Sequence, residues 1–311
     1  MLTLKNKYSP VATRLLLLLL KLTSFLPGQA VLKSAGMISL FLRSLSSRLV
    51  HVSKTNIELC FPGLTAIERE ELLEQSINEL GHSIAETLCV WFNDTNTYLR
   101  QRFKIENEWY WHELLAQEKG IILLSCHSGS LDLNVALINQ LPRRGREFAI
   151  TYRQPAETRL DVFLRKVRQA HADLLFPVSH LLGISRVLKK GGIVWYAPDI
   201  ETSKKGRVFV KFMGVEAATP NAIAKLTEAT GASILPFMHR RNDDGNYTIK
   251  FFPPLNLGKD LDAATNTQIV NDTIEAMIRE NPAAYWWCIK RFRYREDGGP
   301  SVYLHQGSVK N

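Results

Sequence analysis

The stretch IILLSCHSGSLD, residues 121–132, decides the fold that we predict for this chain. It opens with a short unbroken apolar run, which is typical of a strand buried on both faces of a sheet. Ser128, Gly129 and Ser130 interrupt the run, and residues 131–140 resume with the apolar spacing of a helix. A buried strand that passes through a polar turn into a helix indicates an α/β protein.

Alternating strands and helices continue outward from this unit. A long helix is predicted over residues 66–92, with glutamates near its start, where the helix dipole favours them. The other predicted elements are strands at 148–152, 192–197, 234–239 and 247–252, and helices at 158–171 and 185–190. Because the last two strands form a hairpin, we predict a mixed central sheet flanked by helices. No linker or repeat divides residues 51–311, which we assign to one domain.

Composition narrows the class of protein. The chain has 311 residues, 45% of them hydrophobic, and a formal net charge of +9. These values exclude a disordered, collagen-like or multi-span membrane protein. The four cysteines are far apart, which argues against a disulfide framework or a thiolate zinc site and suits a reducing compartment. The excess of cations predicts anionic partners, such as a membrane surface, a phosphorylated substrate or nucleic acid.

The first fifty residues have the pattern of a membrane anchor. Lys5, Lys7 and Arg14 precede the apolar run 15–20, and Lys21 follows it. This run is shorter than the ~20 apolar residues of a membrane-spanning helix, so an interfacial amphipathic helix is the alternative to a span. A second amphipathic segment is predicted over 35–50. A cleaved signal peptide and a buried helix pair are two competing interpretations.

The most informative candidates for chemistry are His127 and Asp132. A histidine directly after a buried strand is suited to accept a proton near neutral pH. A carboxylate five residues later is a candidate to fix the imidazole tautomer and stabilise the imidazolium. This spacing also occurs by chance, so a structural histidine is the alternative interpretation.

Other chemistries have weaker support in the sequence. Cys126 adjoins His127, but neighbours on a strand point to opposite faces of the sheet. Ser128 and Ser130 lack the pattern of a hydrolase nucleophile elbow. The glycine motifs of nucleotide-binding loops are missing, and His171 and His180 are too widely spaced to indicate a metal site. We therefore predict neither a metal nor a nucleotide cofactor.

Cations and strand ends supply further candidates for substrate binding. Arg165 and Arg168 lie three residues apart on one predicted helix face, and Arg153 precedes that helix. Guanidinium groups there are suited to bind a phosphate or a thioester oxygen that gains negative charge. Asp199 follows the strand at 192–197, a position where polar residues often build sites. Near the C-terminus, residues 285–293 mix aromatic and cationic side chains, as nucleic-acid-binding or membrane-facing surfaces do.

Several ordered motifs together resemble the late acyltransferases of lipid A biosynthesis. NIELCFP at 56–62 resembles that family's N-terminal signature, and His127 to Asp132 resembles its H-x4-D/E box. The blocks at 194–199 and 212–219 resemble its middle blocks. Tyr285, Trp287 and the RFR at 291–293 resemble its C-terminal block.

The resemblance implies an O-acyltransferase of the glycerol-3-phosphate-acyltransferase-like fold. Such enzymes move a fatty acyl chain from acyl carrier protein to a hydroxyl of a lipid A precursor at the cytoplasmic face of the inner membrane. They use no metal, nucleotide or acyl-enzyme. By resemblance, His127 is the general base, Asp132 orients it, and an arginine at 153–168 stabilises the oxyanion or binds phosphate. Asp199 matches an acidic position near the site.

Departures from the family pattern bear on the acceptor. Asp132 stands where Glu is common, Glu157 and Thr158 stand where an Asn often follows the Tyr-Arg pair, and Ile289 stands where His is usual. Relatives that acylate lysophospholipids, aminolipids or glycolipids share the box. The competing class is a non-catalytic protein that binds nucleic acid or anionic lipid, and a serine or cysteine hydrolase is a third hypothesis. The sequence specifies neither the acyl chain length nor the oligomeric state.

Overall fold

A computed structural model describes residues 28–92, 103–201, 206–258 and 260–304, together with Phe25. The apolar run 15–20 and its flanking cations therefore lie outside the described residues. The described strands are β1 (Phe103–Glu106), β2 (Ile121–Leu124), β3 (Phe148–Tyr152), β4 (Leu174–Pro177), β5 (Ile193–Tyr196), β6 (Arg207–Phe212), β7 (Val215–Pro220), β8 (Ser233–Arg241) and β9 (Tyr247–Phe251). The described α-helices are α1 (Gly28–Lys33), α2 (Ala35–Leu45), α3 (Ser47–Cys60), α4 (Ala66–Phe92), α5 (Trp109–Ala116), α6 (Leu131–Asn139), α7 (Thr158–Arg168), α8 (Leu181–Lys189), α9 (Ala222–Thr230) and α10 (Ala263–Glu280).

Seven strands form a central sheet in the order β1-β9-β8-β2-β5-β3-β4. All neighbouring strands are parallel except β8 and β9, which form the predicted antiparallel hairpin. The prediction of a mixed sheet flanked by helices is thus confirmed. The second sheet is the β6–β7 hairpin, which the sequence patterns did not predict.

Helices cover both faces of the central sheet. Side chains alternate along β2, so that Ile122 and Leu124 join one apolar cluster and Ile121 and Leu123 join the other. Helix α6 packs into the second cluster, and α8, α9 and α10 pack into the first. Because both faces are buried, the strand sequence is uniformly apolar, as predicted from residues 121–124.

The N-terminal helices are organised differently from the prediction. The single segment expected over 35–50 is divided at Ser46, whose side chain accepts a hydrogen bond from the Leu49 N–H and so caps α3. Helix α3 continues across the proposed domain boundary at residue 50. None of the helices in the described part of the chain combines the length and hydrophobicity that a membrane span requires.

Candidate active site

Three neighbouring strands bring the candidate residues to one edge of the central sheet. β2, β5 and β3 are parallel and adjacent, so their carboxyl ends meet. The register pairs Leu124 with Tyr196, the last residues of β2 and β5. His127 and Asp199 each lie three residues beyond those ends, and Arg153 directly follows β3. The topology therefore brings together residues that lie far apart in the sequence.

Asp199 holds the His127 imidazole. His127 Nδ1 lies 2.8 Å from Asp199 Oδ1, and the His127 backbone N–H donates to Oδ2 at 2.9 Å. Burial alone would raise the pKa of the fully buried Asp199, but its contacts with His127 hold that pKa below its ordinary value. Because an ionised carboxylate only accepts hydrogen bonds, Nδ1 carries the proton and Nε2 remains the acceptor.

Asp132 has a different partner from the one expected. Its two carboxylate oxygens accept hydrogen bonds from Arg168 Nε and Nη2, at 2.7 and 3.1 Å. Asp132 lies in the first turn of α6, where the helix dipole favours an anion, and the Ser130 hydroxyl caps that helix. The structure thus differs from the sequence hypothesis, because the contact with the imidazole Nδ1 is made by Asp199 while Asp132 fixes a guanidinium.

His127, Asp132, Arg153 and Arg168 line one cavity of about 240 Å³. The rest of its wall is mainly apolar, and the His127 side chain is 15% exposed, so the imidazole is accessible from this space. The apolar lining consists mainly of Leu131, Val135, Ile150, Leu164, Val178, Trp195, Ala197 and Ile200. We refer to this space as the acyl cavity, because an apolar cavity with a few polar groups at one place fits a fatty chain with a reactive end.

The two remaining predicted arginines occupy different positions. Arg153 is exposed at the rim of the acyl cavity, and its Nη2 donates to the Glu201 backbone oxygen at 3.3 Å. Arg165 does not line the cavity. Its Nη1 donates to the Tyr152 hydroxyl at 3.3 Å. Tyr152 lines the cavity and donates to Asp161 at 2.9 Å. Arg165 therefore supports the wall from behind.

The C-terminal segment fixes the loop that carries His127. The Trp286 backbone N–H donates to the His127 carbonyl oxygen at 2.8 Å, and its indole N–H donates to the Gly129 carbonyl oxygen at 2.9 Å. The Trp286 ring also meets the imidazole edge-on, with centroids 5.6 Å apart. This residue lies within the aromatic block noted in the sequence, but its contact with His127 depends on tertiary structure.

A buried polar network lies behind the site. Trp195 Nε1 donates to Asn134 Oδ1 at 2.8 Å, and the Asn134 amide lies 3.1 Å from His239 Nδ1. Burial lowers the pKa of His239 to about 4, so the ring is neutral and Nδ1 accepts from the amide. Gly129 has a φ of +60°, and a Cβ there would lie 3.0 Å from the His239 ring. The network and the glycine together set the path of the His127 loop.

The alternative nucleophiles are poorly placed for reaction. Cys126 is fully buried, and burial together with the nearby Asp199 charge raises the pKa of its thiol well above the ordinary value. Ser128 is also buried. Within the described ranges, no three His, Cys, Asp or Glu side chains are grouped so that they could hold a metal ion. The accessible reactive group on the cavity wall is the imidazole.

Comparison with known proteins gives a consistent result. A family model described as "Bacterial lipid A biosynthesis acyltransferase" matches residues 6–294. The chain is 31% identical over 271 residues to the lipid A biosynthesis lauroyltransferase of Escherichia coli K12, a match that covers 86% of each chain. It is 29% identical over 255 residues to that organism's palmitoleoyltransferase, covering 81% of each chain. It is 22% identical over 256 residues to that organism's myristoyltransferase, covering 80% of this chain and 76% of the relative.

Proposed function

Since the chain belongs to the bacterial lipid A biosynthesis acyltransferase family and is an acyltransferase, we propose that it moves a fatty acyl chain from acyl carrier protein to a hydroxyl of a lipid A precursor or related envelope lipid. The observation that carries this proposal is the accessible His127 imidazole at an apolar cavity, with Nδ1 held by a buried carboxylate. This arrangement suits a base that deprotonates an alcohol beside a bound acyl chain.

The proposed reaction has one tetrahedral intermediate. Nε2 of His127 takes the proton of the acceptor hydroxyl while the oxygen forms a bond to the thioester carbonyl carbon. The C–S bond then breaks, and the thiolate takes the proton from the imidazolium, which regenerates the neutral base. Asp199 stabilises the imidazolium while it exists, since its charge lies next to Nδ1. The products are an ester and a free thiol.

The cations at the cavity wall are suited to stabilise the oxyanion. Arg168 uses two of its five N–H groups to bind Asp132, which leaves the others available to a substrate oxygen. The bidentate contact fixes the guanidinium plane before substrate binds, so little reorganisation accompanies the reaction. Arg153 at the rim supplies a second, exposed cation. We propose substrate binding for both arginines.

The decisive experiment compares two histidine variants. His127→Ala abolishes transfer from acyl carrier protein to the acceptor in isolated membranes, while the protein is still made. His112→Ala is the matched control, because this half-exposed histidine on α5 contacts only Glu108 among the ion pairs of the described residues. Mass spectrometry of envelope lipids with and without the chain identifies the acyl group and the acceptor, lysophospholipids and other glycolipids included. Full activity of the His127 variant would refute the mechanism.

We also propose that residues 1–50 attach the enzyme to the inner membrane at its cytoplasmic face, with residues 51–311 as the catalytic domain. The support within the described residues is an apolar surface on α2, formed by Met37, Leu40 and Phe41, which are 71%, 66% and 63% exposed. Their spacing places them on one helix face. An exposed apolar patch of this kind is typical of a membrane-contacting surface.

A vesicle-binding experiment tests this surface. Replacing Met37, Leu40 and Phe41 by Ser is expected to lower partition into vesicles that contain anionic lipid by at least about tenfold, because each apolar side chain contributes on the order of 1 kcal/mol when it leaves water. Leu182→Ser combined with Ile67→Ser is the control, since both residues are exposed to a similar extent elsewhere. Equal loss in the control would show that the α2 surface has no special role.

A further inference from the structure

A second cavity, of about 140 Å³, adjoins the acyl cavity. The two share Arg153 and Ile200 in their linings. The second cavity contains the cationic side chains of Lys290 and Arg293 and the carboxylate of Glu201. We call it the basic cleft. A substrate that occupies the acyl cavity can therefore extend into the cleft without leaving the protein surface.

Among the described residues that line the basic cleft, the cations outnumber the carboxylates three to one. Glu201 is the one acidic residue in the described lining, and its carboxylate is already paired with Arg207. Among the described residues, no carboxylate lies within 4 Å of the charged nitrogens of Arg153, Lys290 or Arg293. Like charges placed together repel, and this repulsion is relieved when an anion binds.

The positive charges of the cleft act on one another, and the charge of Arg48 on α3 also acts on Lys290. Burial lowers the pKa of the Lys290 ammonium, and the charges of Arg48 and Arg293 lower it further. Arg48 lies in the first turn of α3, next to the helix that carries Met37, Leu40 and Phe41. The basic cleft thus adjoins the part of the protein that we expect to face lipid.

The backbone around these cations is held firmly. Between Lys290 and Arg293, the fully buried Arg291 donates to the Ala218 carbonyl oxygen at 2.8 Å and to Thr219 Oγ1 at 2.6 Å. Asn56 donates to the carbonyl oxygens of Trp287 and Ile289, at 2.6 and 2.7 Å. The segment is therefore anchored on both sides of Lys290, and binding of an anion would require little ordering of the backbone.

We propose that the basic cleft binds a phosphate group of the lipid acceptor, an inference that rests on the proposed function. Three cations suit a phosphate, which has several charged oxygens, better than a carboxylate, which a single guanidinium can satisfy. Binding there would hold the acceptor headgroup beside the acyl cavity, with its hydroxyl directed to His127. Arg153 then serves both cavities.

The test measures initial rates with a phosphorylated lipid A precursor and with the same lipid after phosphatase treatment, in mixed detergent micelles. The variant Lys290→Gln with Arg293→Gln is expected to raise KM for the phosphorylated acceptor about 10- to 100-fold, because it removes two charge-assisted contacts. KM for the acyl donor stays within twofold. The phosphatase-treated acceptor is used equally poorly by the wild-type enzyme and the variant.

Arg295→Gln is the matched control, because it removes a charge from the same segment at a residue paired with Asp297 outside the cleft. Thermal unfolding checks that each variant folds. If the double variant does not fold, Arg293→Gln alone is used, and it is expected to raise KM for the phosphorylated acceptor about tenfold. An unchanged acceptor KM overturns the proposal. An increase confined to KM for the acyl donor also overturns the proposal, because the cleft would then bind the acyl carrier protein donor rather than the acceptor. Failure of the proposed function is distinguishable, since the wild-type enzyme would then transfer no acyl group to either acceptor.

Discussion

Replacing Asp199 by Asn tests whether this carboxylate supports the base. The substitution keeps the size of the side chain but removes the charge that lies 2.8 Å from His127 Nδ1. It also replaces one of the two carboxylate oxygens, which contact the ring and the backbone N–H of His127, by an amide NH₂ group that donates hydrogen bonds. The imidazolium then has no neighbouring carboxylate to stabilise it, and the tautomer with the proton on Nδ1 is no longer enforced.

The expected loss follows from the hydrogen bond to the charged ring. Such a bond contributes about 1.5–3 kcal/mol, which corresponds to a decrease of about 10- to 150-fold in kcat. The acceptor and donor KM values are expected to change little, because Asp199 is fully buried and lies behind the imidazole, away from substrate. Steady-state rates with saturating acyl donor and variable acceptor give both parameters.

Two results would contradict this reasoning. If Asp199→Asn retained wild-type kcat, the imidazole would not depend on the buried carboxylate. If Asp132→Asn lowered kcat while Asp199→Asn left it unchanged, Asp132 rather than Asp199 would orient the imidazole, as the sequence alone predicts. Asp173→Asn is the control, because Asp173 pairs with Arg143 at a partly exposed position away from the cavity.

Three further predictions concern the surroundings of the base. Burial holds the pKa of His239 near 4, below its ordinary value of 6.5, so the unfolded chain binds more protons between these pH values and stability decreases as the pH falls below 6.5. Urea unfolding at pH 6.5 and at pH 5 measures this loss of stability, which should be smaller by about 1.6 kcal/mol in His239→Gln than in the wild type. Gly129→Ala should destabilise the protein by about 1 kcal/mol or more and lower kcat, measured by thermal unfolding and initial rates, because φ at this position is +60° and the added Cβ meets the His239 ring. Asp132→Asn and Arg168→Gln should be non-additive in kcat/KM, with the double variant no worse than the more impaired single variant, because the two side chains form one bidentate pair.

The local parts of the fold were predictable from the sequence, and the hairpin β6–β7 shows what was not. The strand–turn–helix unit around His127 is visible because its apolar run, polar break and helical spacing are contiguous. The hairpin turns at Met213 and Gly214, both of which have positive φ. Such a turn usually carries Asn-Gly or Asp-Gly, so the Met-Gly pair lacks the usual sequence signal.

Four of the predicted site residues, His127, Asp132, Arg153 and Arg168, line one cavity, but the contacts that they make were not predictable from the sequence. His127 and Asp132 were prominent because they lie close together in the sequence. The contact between His127 and Asp199 spans 72 positions and depends on β5 being the neighbour of β2 with Leu124 opposite Tyr196. Strand order and register are properties of the whole sheet, which local patterns do not specify. Proximity in the sequence therefore favoured the wrong partner for the imidazole Nδ1.

Because Asp132 and Asp199 have separate partners, the position of the imidazole does not depend on the length of the acidic side chain at position 132. An imidazole that is fixed by its loop and by Trp286 could not move to meet a carboxylate shorter by one methylene. The partner of Asp132 is instead Arg168, whose long side chain can extend and still place its planar group against both oxygens. The proposed base, His127, is held by Asp199, which the sheet register places independently of position 132. A change of length at position 132 would thus shift the guanidinium along the cavity wall and leave the imidazole where it is, so it would alter substrate binding and the stabilisation of the oxyanion rather than the proton acceptor.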